Sequence, residues 1–160
     1  MLEVSMRTVD QWLDEYAESH RHPANKGLHW ICVPVIVVSL TGLLWSLPVP
    51  WAFVAVSPWL NWATLLLIAA VLYYLALSRT LAVGMLIFAA LVVAAVKALD
   101  ALPWPLVWVC VVLFVVAWIG QFIGHHYEGK RPSFFKDIQF LMIGPLWLLG
   151  FIYRKLRIPY

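Results

Sequence analysis

Residues 28–47 read LHWICVPVIVVSLTGLLWSL, 20 positions without a formal charge. As a helix at 1.5 Å per residue, such a run is about 30 Å long, the thickness of a bilayer's hydrocarbon core. Three more apolar runs follow, at about residues 59–77, 81–99 and 106–124. Composition agrees with this reading. Of 160 residues, 64% are hydrophobic and 12% charged, against roughly 45–50% and 25% in soluble domains. One soluble core of this size cannot hide that much apolar surface, so lipid is the expected solvent. The ten tryptophans gather near the ends of the apolar runs, as interfacial rings do. The expected fold is an all-α integral membrane protein, a four-span helical bundle forming one domain over residues 1–160.

Upstream of the first run, residues 5–19 read as an amphipathic helix. Val9, Trp12, Leu13 and Tyr16 share one face, and Thr8 with Gln11 makes a capping box. The segment has no continuous apolar core, so it reads as an interfacial helix and not as a signal peptide. Pro23 ends it, and Asn25 is placed to cap the next helix. Downstream, Pro48, Pro50 and Pro58 mark a loop. Residues 138–153 are apolar but only 16 long and carry Gly144-Pro145. They read as a re-entrant or interfacial hairpin, with a fifth span as the alternative. Gly120 and Gly124, one turn apart, offer a neighbouring helix a close approach. Cys32 and Cys110 fall toward opposite membrane faces and are expected to stay unpaired.

Charge sets the orientation. Arg7, Arg21 and Lys26 precede the first span, Arg79 follows the second, and Lys130, Arg131 and Lys136 follow the fourth. With four spans these all fall on one side, the cytoplasmic one under the positive-inside rule. The basic tail from Arg154 to Arg157 joins them if the last segment does not cross. The expected location is a bacterial inner membrane, with both termini and every histidine cytoplasmic. The net charge of +3 forms no basic face with exposed aromatics, so nucleic acid is not an expected partner. No protein partner is inferred.

Two polar stretches meet at that cytoplasmic edge. Residues 20–29 read HRHPANKGLH, and residues 120–132 read GQFIGHHYEGKRP. Together they hold all five histidines, His20, His22, His29, His125 and His126. Imidazoles with a carboxylate suit iron, zinc or copper. His125 and Glu128 share a face if the fourth helix continues one more turn, whereas His126 points about 100° away. Gln121, one turn before His125, is placed to orient it. Gly-rich phosphate loops, Gly-x-Ser-x-Gly and His-Glu-x-x-His are all absent from the sequence. No residue at mid-span is charged, which speaks against an ion pump or channel.

Two blocks carry a family resemblance. One is Tyr16-x-x-x-His20-x-x-Pro23-x-Asn25-Lys26-x-x-His29, followed by Pro34. The other is Gln121-Phe-Ile-Gly124-His125-x-x-Glu128-x-x-Arg131-Pro132. The chain resembles the small membrane family of iron-dependent 2-hydroxy fatty acid dioxygenases of fatty acid α-oxidation. The resemblance implies Fe(2+) as cofactor, a 2-hydroxy fatty acid and O2 as substrates, and loss of one carbon. It implies His20, His29 and His125 as metal ligands, with Glu128 either a further ligand or the partner of a ligating histidine. His22 and His126 fall outside the family pattern, and His126 is kept only as an additional candidate ligand. Lys130 and Arg131 are the candidates for the substrate carboxylate. A reading of another class is a non-catalytic metal-binding membrane scaffold or lipid-binding protein.

Overall fold

The computed structural model describes residues 7–160, and every regular element in them is helical. Helix α1, Val9–Ala17, begins after Thr8, whose side chain and that of Gln11 form the reciprocal capping box. The expected helix began at residue 5, and residues 5 and 6 lie outside the described ones. Helix α2, Pro23–Trp45, starts five residues before the apolar run. Its N-cap is His22, whose Nδ1 accepts from the Ala24 N–H at 3.2 Å, and not Asn25 as expected. Pro34 lies inside it.

The proline-marked loop contains a short helix, α3, Trp51–Val56. Helix α4, Trp62–Leu77, is shorter than the apolar run because Asn61 caps it, accepting from the N–H groups of Ala63 and Thr64. Helix α5 is Arg79–Asp100. Helix α6, Leu106–Glu128, continues through His125 and Glu128 before Gly129 ends it in the left-handed conformation, φ 67°. After a 3₁₀ turn at Ser133–Phe135 comes α7, Phe140–Leu156. α7 is one continuous helix with Pro145 inside it, so the segment has no hairpin turn at Gly144-Pro145.

Helices α2 and α6 pair antiparallel at close range. A Cβ on Gly124 would overlap Asn25 Oδ1, one on Gly120 would overlap Cys32 Sγ, and one on Gly42 would overlap Cys110 Sγ. These three layers set the register that brings the start of α2 against the end of α6. Both cysteines are unpaired and buried in the seam. Helices α4 and α5 pack on each other and on α2. α7 is tied at two points to the same α4–α5 turn. Tyr74 O–H donates to the Met142 carbonyl at 2.7 Å, and Tyr153 O–H donates to the Thr80 carbonyl at 3.0 Å. Trp12, Leu13 and Tyr16 of α1 pack on Phe140 and Trp147 of α7 in the main core cluster.

Helices α2, α5 and α6 are long and apolar enough to cross a membrane, and α4 is an apolar helix of 16 residues. Outward-facing Leu72, Leu86, Leu91, Val112 and Val116 are each more than half exposed, which water would not tolerate over so wide a surface. The architecture is an all-α, multi-span membrane bundle.

Candidate metal centre

His20 lies in the turn between α1 and α2, His29 one and a half turns into α2, and His125 on the last turn of α6. All three are at least 96% buried. They form a group whose ligand atoms lie within 4.8 Å of one another. The other two histidines are elsewhere. His22 is exposed and stacks on Tyr127, and His126 is exposed on the outer side of α6.

Hydrogen bonds assign the tautomers. His20 Nδ1 lies 2.6 Å from the Tyr16 carbonyl, and His29 Nδ1 lies 2.9 Å from the Asn25 carbonyl. A carbonyl only accepts, so each Nδ1 carries the hydrogen and each Nε2 carries a lone pair. Those two Nε2 atoms are 2.9 Å apart. Burial, with His29 beside it, pushes the His20 pKa down to about 3, so no second proton relieves the repulsion at neutral pH. A shared cation does. His125 adds a buried Nδ1 without a hydrogen-bond partner among the described residues. The donor set therefore fits a metal ion, with carbonyls orienting the ligating rings as is usual at such sites.

Glu128 is outside the histidine group. Its carboxylate accepts from the Arg21 N–H at 2.9 Å, the His22 N–H at 2.7 Å and Asn25 Nδ2 at 3.2 Å. It clamps the end of α6 to the start of α2, where a negative charge also suits the helix dipole. Lys130 and Arg131 stand exposed on the turn after α6, and Lys130 Nζ donates to the Glu18 carbonyl at 2.9 Å. They border a surface depression beside His125 but do not line the cavity on which the three histidines open.

That cavity holds about 60 Å³. Its polar end is His20, His29, His125 and Gln121, and its other walls include Val33, Ile36, Val37 and Trp118. The segment after α6 closes it from the water side. Ser133 Oγ meets Ser19 Oγ at 2.5 Å, and Lys136 pairs with Glu15. Two contributors were missed in the sequence. Tyr16 stacks on His20 with ring centroids 4.0 Å apart and supplies its carbonyl. Asn25, fully buried, holds His29 through its carbonyl and joins the Ser19 carbonyl to Glu128 through its side chain. The signal available was spacing: Tyr16 and Asn25 each precede a histidine by four residues.

The fold and this site define a membrane-embedded helical protein with a buried tridentate histidine cluster able to bind a metal ion. The family model described as Mpo1-like 2-hydroxy-palmitic acid dioxygenase matches residues 6–156. The chain belongs to that family, and dioxygenase-type chemistry on a 2-hydroxy fatty acid is the function it carries. No curated protein and no solved structure matches it.

Proposed function

We propose that the chain binds ferrous iron through His20, His29 and His125 and, with dioxygen, shortens 2-hydroxy fatty acids by one carbon. The observation that carries this reading is the pair of facing imidazole lone pairs at 2.9 Å, beside His125, in a cavity that continues into apolar walls. Imidazole donors suit several divalent metals. Iron is favoured because the family's reaction uses dioxygen. When bound, iron supplies the redox chemistry with dioxygen that breaks the C1–C2 bond.

The chain's own residues prepare the site. The Tyr16 and Asn25 carbonyls hold two rings with Nε2 inward. Glu128 acts through the backbone it clamps, as a positioning residue and not a ligand. Lys130 and Arg131 draw the acid head group toward the membrane surface beside His125. A cavity of about 60 Å³ has no room for a long acyl chain, so the tail passes Val37 and Trp118 into the bilayer. The reading includes four crossings by α2, α4, α5 and α6, with the site and both termini cytoplasmic in a bacterial inner membrane. The anchoring of both ends of α7 to one turn supports its not crossing.

The test is anaerobic purification with metal analysis, followed by turnover of a chain-length series of 2-hydroxy acids. Stoichiometric iron and acids one carbon shorter are expected. Absence of iron, and no consumption of 2-hydroxy acid after ferrous iron and oxygen are supplied, overturns the proposal. Zinc would point to a hydrolytic or structural site. Retained metal without turnover across the series would favour the scaffold or lipid-binding reading.

A further inference from the structure

Gln121 is 5% exposed and lines the histidine cavity. Its Nε2 has no hydrogen-bond partner among the described residues. A buried amide donor without an acceptor is destabilising, and native structures rarely keep one idle. The acceptors nearby are either engaged or, as the lone pairs of His20 Nε2, His29 Nε2 and His125 Nδ1, turned toward the metal position. Nδ1 of His20 and of His29 serve carbonyls, and Ser133 meets Ser19. The walls beyond are apolar. With those lone pairs given to the metal ion, the acceptor left for Gln121 is one that comes with a ligand.

Position says which ligand oxygen this is. Gln121 precedes His125 by one turn of α6, so it lies about 6 Å further from the water-side end of the bundle. The apolar walls at Val33, Val37 and Trp118 run in the same direction. A 2-hydroxy acid entering with its tail along those walls presents, from the tail outward, C3, then C2 with its hydroxyl, then the carboxylate. Gln121 meets the C2 oxygen first. We infer that Gln121 is the specificity residue that donates a hydrogen bond to the substrate's 2-hydroxyl. The inference rests on the proposed function and adds to it the means of rejecting unsubstituted fatty acids. A site built to bond a hydroxyl discriminates against the analogue lacking it, because its buried donor is then left unpaired.

The test is equilibrium binding of 2-hydroxyhexadecanoic and hexadecanoic acids to the metal-free, full-length protein in nanodiscs. Removing the metal removes its own preference for the hydroxylated acid. The wild type should prefer the hydroxy acid by about three- to tenfold, the worth of one hydrogen bond. Gln121→Leu and the near-isosteric Gln121→Met should lose that preference, with affinity for hexadecanoic acid unchanged. An unchanged preference in either folded variant overturns the inference. So does an equal fall in affinity for both acids, which would mean a packing or carboxylate contact. Iron loss with the preference intact also overturns it, leaving Gln121 only as a support for His125. A wild type that consumes no 2-hydroxy acid with iron and oxygen overturns the reading beneath. Wild-type turnover with an unchanged preference in the variants overturns this assignment alone.

Discussion

His125 and His126 are adjacent in the chain and opposite in setting. His125 faces the seam with α2, and His126 faces outward. Their alanine variants should therefore differ in kind. His125→Ala should lose most iron and all turnover, and so should His20→Ala and His29→Ala. His126→Ala and His22→Ala should keep iron, with at most a moderate fall in rate. Glu128→Ala should fall between, with about a 10–100-fold loss of metal affinity, as for groups that orient a ligand. Metal content per monodisperse, detergent-solubilised chain decides this. Equal losses in the His125 and His126 variants would show both rings serving one ion.

Acid should reveal His20 separately. Its folded pKa is depressed to about 3 from an ordinary 6.5. The unfolded chain takes up a proton as pH falls through 6.5, and the folded chain refuses it until about 3. The stability this group supports is thus present above 6.5 and lost between 6.5 and 3. The unfolding temperature of the metal-free protein should drop as pH is lowered from 7 to 5, and His20→Ala should weaken that dependence. The histidines were legible as a group because no other part of the chain holds one. Glu128 was ambiguous because a carboxylate three residues after a histidine suits a ligand and a clamp equally. The backbone N–H groups of Arg21 and His22, from which its carboxylate accepts, favour the clamp.

Among the elements, the α2–α6 seam governs the site, because its glycine layers fix the depth at which His29 and His125 meet. Gly124→Ala should push Asn25 away and with it the carbonyl that holds His29. Metal affinity should fall about tenfold or more, in the range for lost ligand support. Gly27→Ala is the control, since nothing lies within 4 Å of a Cβ placed there. It should bind metal normally and be neutral or slightly more stable, as alanine favours a helix over glycine. Titration of ferrous iron into both variants checks the pair. The long helices were legible from uncharged runs because lipid demands length and little else. Helix ends were less so, since caps such as Asn61 and His22 act within the polar margins where hydropathy is silent. Gly144-Pro145 misled for a related reason. Proline at the sixth position of α7 removes one backbone donor without breaking the helix. The burial of Ile143, Leu146 and Trp147 against α1 and the bundle holds the helix together there.

At the scale of the whole molecule, the decisive quantity is the number of crossings, because it fixes which compartment the metal centre faces. α7 is 17 residues long, about 25 Å at 1.5 Å per residue, and so could nearly span on length alone. Its contacts argue otherwise. Met142 and Tyr153 are held by Tyr74 and Thr80, and these lie on either side of the single turn at Ser78. A helix with both ends at one end of the bundle lies across it. Such a helix also leaves Arg154, Lys155 and Arg157 on the side of Arg79 and Lys130, as the positive-inside rule favours. Single cysteines should be introduced near Trp51, Asp100, Arg79, Lys130 and Arg157, with Cys32 and Cys110 replaced by serine or alanine. A membrane-impermeant thiol reagent added to intact cells should label the first two positions and spare the other three. Labelling at Arg157 alone among those three would make α7 a crossing helix, detach the tail from the histidine side, and leave the metal centre where it is. Labelling at Lys130 would place the histidine end outside and invert the orientation.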